Sequence, residues 1–330
     1  MERYLTAWRQ YEVIEGGRAE GSAETYYRNV SQFIGFMKEE ERPLEPERVT
    51  QADVQGFMKA LFFRYSCKHN STRAQKLSSL KAFFRYLNYA GVTENNPAAN
   101  IRSPKFQRKM PTIFLTEELA LLFSACDEAS ALGLRDLAIL KTIYAAGLRV
   151  SELCALEIGD VTDRGGYIRL KIKGKGAKER MVTLRTNPSA TLRKWLSFRA
   201  TLETVHSRLF VSSKAHTSPL VPRSITNILK KYAALAGIPS ADAFVHKLRA
   251  TWATDLYDSG RDNCPRCGHA IEKIDILEIC MLAGWSETKT AMRYIAVSEK
   301  VLNKTALPDR RFREIERNIE RIREGTDAKE

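Results

Sequence analysis

Six residues beyond position 145 are of types that together could transfer a phosphoryl group. Arg149 follows a glycine at the end of an apolar run in "AAGLRVSEL", with Glu152 three residues on. Lys175 stands at the tip of a Gly-Lys-Gly turn, where a long amine reaches outward. His246 and Arg249 are spaced i, i+3 in "HKLRATW", which places both on the same face of a helix. Trp285 and Tyr294 stand nine residues apart in "GWSETKTAMRYI". A phosphodiester under attack becomes five-coordinate and doubly charged, and two guanidiniums can hold its non-bridging oxygens. A leaving 5′-oxygen needs a proton, which a lysine of lowered pKa can give. An indole N–H adds a donor, and a phenol can attack phosphorus once a neighbour takes its proton, conserving the bond as an ester. Each residue alone has a plainer use in packing, a turn or a surface ion pair. Their order and company point to a metal-free phosphoryl-transfer site.

A polyanionic partner is also what the charge predicts. Fifty-three Lys+Arg against 39 Asp+Glu give a net charge of +14 in 330 residues, and the pI is near 9.5. A membrane surface is the weaker option, because the chain has neither a basic amphipathic anchor nor an uninterrupted apolar span. The first ten residues already carry Glu2, Arg3 and Arg9, so no secretory signal is expected, and six irregularly spaced cysteines suit a reducing cytoplasm.

Those side chains need a scaffold, and the periodicities predict a mostly helical α+β chain of two domains. In the first hundred residues a helical run follows Ser22, another follows Thr50 as N-cap, and "STRAQKLSSLKAFFRYLNYAG" buries Leu77, Leu80, Phe84 and Leu87. Its other face carries Arg73, Lys76, Lys81 and Arg85, a candidate DNA-facing surface in a chain this positive. A proline-rich linker at 95–111 adds Lys105, Arg108 and Lys109 as further candidate DNA contacts. Beyond it Thr116 is expected to cap a helix, and a second helix ends at Gly147. Ile168, Leu170 and Ile172 alternate with Arg169, Lys171 and Lys173 into one arm of a β-hairpin. The chain then returns to helix until about residue 301. A narrow apolar stripe (Phe312, Ile315, Ile319, Ile322) closes it.

"GLRVSEL", "KGKGAKER", "HKLRATWATDL" and "LAGWSETKTAMRYI" resemble, in order, the successive motifs of tyrosine site-specific recombinases, the family of phage integrases and Xer proteins. The resemblance covers the whole chain. It implies a C-shaped clamp around duplex DNA, with residues 1–103 as a SAM-like core-binding domain and 112–308 as the catalytic domain. It also implies roles: Arg149 and Arg249 clamp the phosphate, Lys175 protonates the leaving 5′-hydroxyl, His246 assists proton transfer, Glu152 orients the site, and Tyr294 is the nucleophile. Trp285 falls where most bacterial members carry histidine and Cre-like members carry tryptophan. No cofactor is implied for catalysis. The implied partners are a double-stranded recombination site and further copies of the chain, a dimer on one site and a tetramer in the synapse, with room for an accessory protein. The tail at 309–330 would be the inter-protomer element.

One stretch departs from the family pattern. An insert at about 260–280 contains Cys264-Pro-Arg-Cys267-Gly-His269, half of a zinc-ribbon-like knuckle, to which Cys280 could add a ligand. A zinc there would brace the insert and stay out of the chemistry. The rival readings are an inactive recombinase-like DNA regulator, a telomere resolvase or type IB topoisomerase-like strand transferase, and a metal-dependent nuclease. The last needs a carboxylate cluster, and none lies near these motifs.

Overall fold

The computed structural model describes residues 1–107, 110–174, 179–212, 218–259 and 274–296. The chain divides into two compact units, Met1–Lys109 and Met110–Glu330. No helix of the described residues is long and apolar enough to cross a membrane.

Among the described residues the first unit contains four α-helices, α1 (Glu2–Ile14), α2 (Glu20–Glu39), α3 (Gln51–Phe63) and α4 (Asn70–Tyr89), with a short 3-10 turn at Pro46–Arg48. α3 starts where the sequence predicts. Thr50 is its N-cap, its hydroxyl accepting from the Asp53 amide while the Asp53 carboxylate accepts from the Thr50 amide at 2.8 Å. α2 begins two residues before Ser22, which lies inside it; Glu20 instead puts an acidic side chain in the first turn. Between the helices lies an aromatic core of Trp8, Phe33, Phe57, Phe83 and Phe84, with Leu77, Leu80 and Leu87. Trp8 meets Phe83, and Phe33 meets Phe57, in edge-to-face pairs with centroids 5.1 and 5.3 Å apart.

The second unit is built on α6 (Ala131–Ala146), preceded by α5 (Thr116–Ser124) and followed by α7 (Val150–Ala155). Thr116 is the first residue of α5, not its cap; that position is Leu115, whose amide donates to Glu118 at 2.9 Å. Next come β1 (Val161–Asp163), β2 (Tyr167–Lys173) and β3 (Glu179–Arg185), an antiparallel sheet in the order β1-β2-β3. Ile168, Leu170 and Ile172 point inward, as their alternation requires. The sequence pattern marks β2 but not β1, which is only three residues long. Then follow α8 (Thr186–Arg199), α9 (Pro222–Leu235), α10 (Val245–Ser259), α11 (Ile276–Ala283) and α12 (Thr288–Ile295). α6 is buried almost all round, by Leu137, Ile139, Leu140 and Ile143 among others, so it forms the axis on which the sheet, α8 and α10 pack.

Candidate active site

Four segments of the second unit converge on one point: the end of α6, strand β3, the first turn of α10, and the α11–α12 turn. α6 stops because Gly147 adopts φ +58°, and a Cβ there would lie 2.3 Å from the ring of Trp252 on α10. Two residues later Arg149 opens α7. Its backbone amide donates to the Glu152 carboxylate at 2.8 Å, its Nη1 donates to the other oxygen at 2.6 Å, and its Nη2 donates to the Gly284 carbonyl at 2.8 Å. Gly284 caps α11 at φ +62° and so carries the chain into Trp285.

Arg249 sits one turn into α10, 1% exposed at its side chain. Its Nη1 donates to the Gly147 carbonyl and its Nη2 to the Ala283 carbonyl. Burial, then the charge of Arg149, presses its pKa down to about 10, which leaves it cationic at neutral pH. Its guanidinium lies over the Trp285 ring at 5.2 Å, and that ring stacks on Tyr294 at 5.0 Å with a tilt of 10°.

Tyr294, in the last turn of α12, is 5% exposed. Its hydroxyl lies 2.7 Å from His246 Nε2. Lost hydration, then the charges of Arg249, Arg149 and Arg293, holds the imidazole below its ordinary pKa. In the tautomer with its proton on Nδ1, the neutral ring accepts the phenol's hydrogen bond. Burial raises the Tyr294 phenol, outweighing the pull of Arg293, Arg249 and Arg149. The nucleophile candidate is therefore protonated at neutral pH and already bonded to a base.

Glu152 is the hub of the charges. Its side chain is 4% exposed, and burial alone would raise its pKa. Hydrogen bonds from Arg180 and from the Arg149 amide and side chain outweigh that, so it stays ionised. Arg249 Nη1 approaches it at 3.8 Å. Sequence reasoning missed Arg180, the third guanidinium. It grips both Glu152 oxygens, at 3.0 and 2.8 Å, and donates from Nε to the Leu282 carbonyl at 2.8 Å. A signal was present: Arg180 shares the inward register of β3 with Val182 and Leu184, both buried.

Five of the six candidate catalytic residues, with Glu152, thus meet at one place. The sixth, Lys175, lies outside the described residues, in the connection between β2 and β3. The basic face of α4 is more occupied than its pattern implies. Lys76 donates to Asn29 and Gln32 of α2, at 3.2 and 2.5 Å, and so ties two helices together. Arg73 bonds Asn70 and lies 4.7 Å over the Phe62 ring, and Lys81 donates to the Ala99 carbonyl at 3.0 Å. Arg85 and Lys105 are exposed, with no ion pair among the described residues. Arg108 and Lys109 lie outside them, as do Cys264, Cys267, His269 and the 309–330 tail. Cys280 is buried beside Ile279 and Ala291, its thiol raised by burial, and its sulfur faces the Glu287 carbonyl at 3.9 Å. Among the described residues no group of three His, Cys, Asp or Glu could hold a metal ion.

Residues 113–300, more than half of the chain, match the phage integrase family, and residues 5–91 match the N-terminal SAM-like domain of phage integrases. The chain belongs to the phage integrase family. It is a tyrosine recombinase, an enzyme of DNA strand cleavage and rejoining. A tyrosine recombinase XerC of Thermodesulfovibrio yellowstonii is 31% identical over 265 residues, covering 78% of this chain and 84% of that protein. A XerD of Listeria monocytogenes is 31% identical over 252 residues, 76% of this chain and 83% of the relative. A solved XerH site-specific recombinase, bound to palindromic difH substrate in a post-cleavage complex, shares the fold. Its TM-score is 0.68 over 86% of this recombinase and 78% of that chain, at 22% identity. A lambda integrase dimer bound to a COC′ core site gives 0.65 over 89% and 95%, at 15% identity.

Proposed function

We propose that this recombinase cuts duplex DNA at a specific site through Tyr294. The observation that carries the reading is the 2.7 Å bond between the Tyr294 hydroxyl and a neutral His246, set among buried guanidiniums. As the phenol oxygen bonds to phosphorus, its proton passes to His246 and the P–O5′ bond breaks. Arg149 and Arg249 hold the non-bridging oxygens, each with three of its five N–H groups free of the protein bonds described above. The Trp285 indole N–H adds a donor, and Lys175 from the hairpin connection protonates the departing 5′-oxygen. The product is a 3′-phosphotyrosyl link and a free 5′-hydroxyl; attack by a second strand's 5′-hydroxyl reverses the step. One ester replaces another, so no ATP or catalytic metal enters the balance.

The substrate would be a double-stranded recombination site in the cytoplasm, bound by a dimer and paired in a tetramer, as the solved dimeric and tetrameric lambda integrase complexes suggest. Likeness to XerC and XerD favours resolution of a chromosome or plasmid over service to a mobile element. Of the α4 face and linker, Arg85 and Lys105 are the strongest candidate phosphate contacts. A zinc held by Cys264, Cys267 and His269 would only brace the insert, and buried Cys280 serves packing. The test is to incubate the protein with genomic DNA fragments, denature, and sequence the DNA that stays attached. Wild type should retain one site through a 3′ linkage, with EDTA present, and Tyr294→Phe should retain none while binding DNA nearly as well. An adduct that survives in Tyr294→Phe, or cleavage that EDTA abolishes, overturns the reading.

A further inference from the structure

Arg180 has no role in the chemistry above, yet it makes more polar contacts with the site than any single clamp residue needs. Its two Nη groups occupy both oxygens of Glu152 and its Nε holds the Leu282 carbonyl, three residues ahead of Trp285. Glu152 is buried, so its charge must be answered by whatever cations lie within reach. Arg180 answers it from one side, at 11% side-chain exposure, and Arg149 from the other, at 37%. The Arg149 guanidinium is thereby left with one bond to the carboxylate, whose other oxygen takes the Arg149 backbone amide, and one to Gly284, its remaining N–H groups making no bond among the described residues.

We propose that Arg180 is a positioning residue for strand cleavage: it satisfies Glu152 so that Arg149 is left to clamp the phosphate, and it fixes the turn that presents Trp285. The inference rests on the phosphate-clamp reading. Without Arg180, the buried carboxylate has Arg149 as its nearest partner and draws that guanidinium into bidentate pairing, neutralising the charge meant for the phosphate. A lysine at 180 keeps the charge, but one ammonium cannot span both carboxylate oxygens and the Leu282 carbonyl.

Arg180→Lys and Arg180→Gln should be compared with wild type and Tyr294→Phe on a suicide duplex carrying the mapped site. The scissile group is made once as the ordinary diester and once as a methylphosphonate, in which a neutral methyl replaces one charged oxygen. A defect in charge clamping should cost about 10- to 100-fold on the diester and far less on the methylphosphonate, raising the methylphosphonate rate relative to the diester rate. The ratio is taken on one preparation, so misfolded protein lowers both rates and leaves it unchanged. A ratio that does not rise in either variant, with wild type active, overturns the role of Arg180 alone. A wild type that forms no adduct at Tyr294 overturns the clamp reading itself, and this inference with it.

Discussion

Gly147 places both of the proposed clamp residues, Arg149 and Arg249, and replacing it with alanine combines two costs that other glycines carry singly. Its φ of +58° opposes any side chain, a cost of about 1–2 kcal/mol. The added Cβ would also lie 2.3 Å from Trp252, which packs with Ala283 and Tyr294, so the ring cannot swing away cheaply. Overpacking of that kind costs about 1–3 kcal/mol. The sum, about 2–5 kcal/mol, corresponds to a melting temperature lower by about 4–20 °C for a domain of this size. Three controls divide the effect. At Gly165 (φ +75°, nothing within 4 Å) only the backbone cost applies. At Gly133 φ is ordinary but a Cβ would sit 2.0 Å from the Asp127 carbonyl oxygen, so only the steric cost applies. At Gly159, where nothing lies within 4 Å, a change of at most about 0.5 kcal/mol is expected. Thermal melts of the four full-length variants by circular dichroism check the order: Gly165→Ala between Gly147→Ala and wild type, Gly133→Ala well below wild type because its Cβ meets backbone, and Gly159→Ala beside wild type. Because the Gly147 carbonyl accepts from Arg249, the folded fraction of Gly147→Ala should also form adduct more slowly. If Gly147→Ala melts with Gly165→Ala, Trp252 yields freely and the reasoning about this corner is wrong.

Two further outcomes test the reacting groups. Adduct formation at saturating DNA should fall as pH drops below the ordinary histidine value of about 6.5, because protonated His246 cannot accept from Tyr294. The folded-state pKa is lowered, so the histidine's stabilising contribution is complete above the unfolded value and is lost as pH falls towards the folded one. An acid limb centred above pH 7, measured in single-turnover rates, would refute a neutral base. Trp285→Phe keeps a ring against Tyr294 but removes the N–H, and by analogy with other transition-state donors should slow cleavage about 10²- to 10³-fold with little change in melting. Trp285→His, which restores a donor, should recover part of that rate; equal rates for all three proteins would reduce Trp285 to packing.

Side chains whose chemistry is rare in company were visible in the sequence, and geometry that runs through the main chain was not. Tyr294, His246, Arg249 and Arg149 stand out by type and order. The carbonyls of Gly147, Leu282, Ala283 and Gly284, which hold Arg249, Arg180 and Arg149, leave no trace in a string of side chains. The helical face of α4 shows the opposite failure. Arg73, Lys76 and Lys81 look like a DNA-facing stripe because a cation's spacing is the same whether it meets solvent or a neighbour. Only the fold shows that Lys76 bridges to α2 and Lys81 to the Ala99 carbonyl. Helix ends were uncertain for a related reason: Ser22 and Thr116 are good caps by type, but the first turns were set by Glu20 and by the Leu115–Glu118 box.

Main-chain anchoring also explains why the site tolerates so much like charge. Arg149, Arg180 and Arg249 crowd around a single carboxylate, and ion pairing to Glu152 alone would neutralise only one of the three. The rest of their binding comes from carbonyl dipoles, which accept hydrogen bonds from a guanidinium without cancelling its charge. The cluster therefore keeps net positive charge in a partly buried place, at a cost that the phosphate of the proposed reaction would offset. Those carbonyls belong to the α6–α7 corner and to the end of α11, so a shift of either segment must move the clamp. The same α11–α12 turn carries Trp285 and leads to Tyr294. The proposed clamp and the proposed nucleophile are thus registered to each other through the backbone at 282–284, and substitutions that loosen this turn should slow cleavage even where they touch neither.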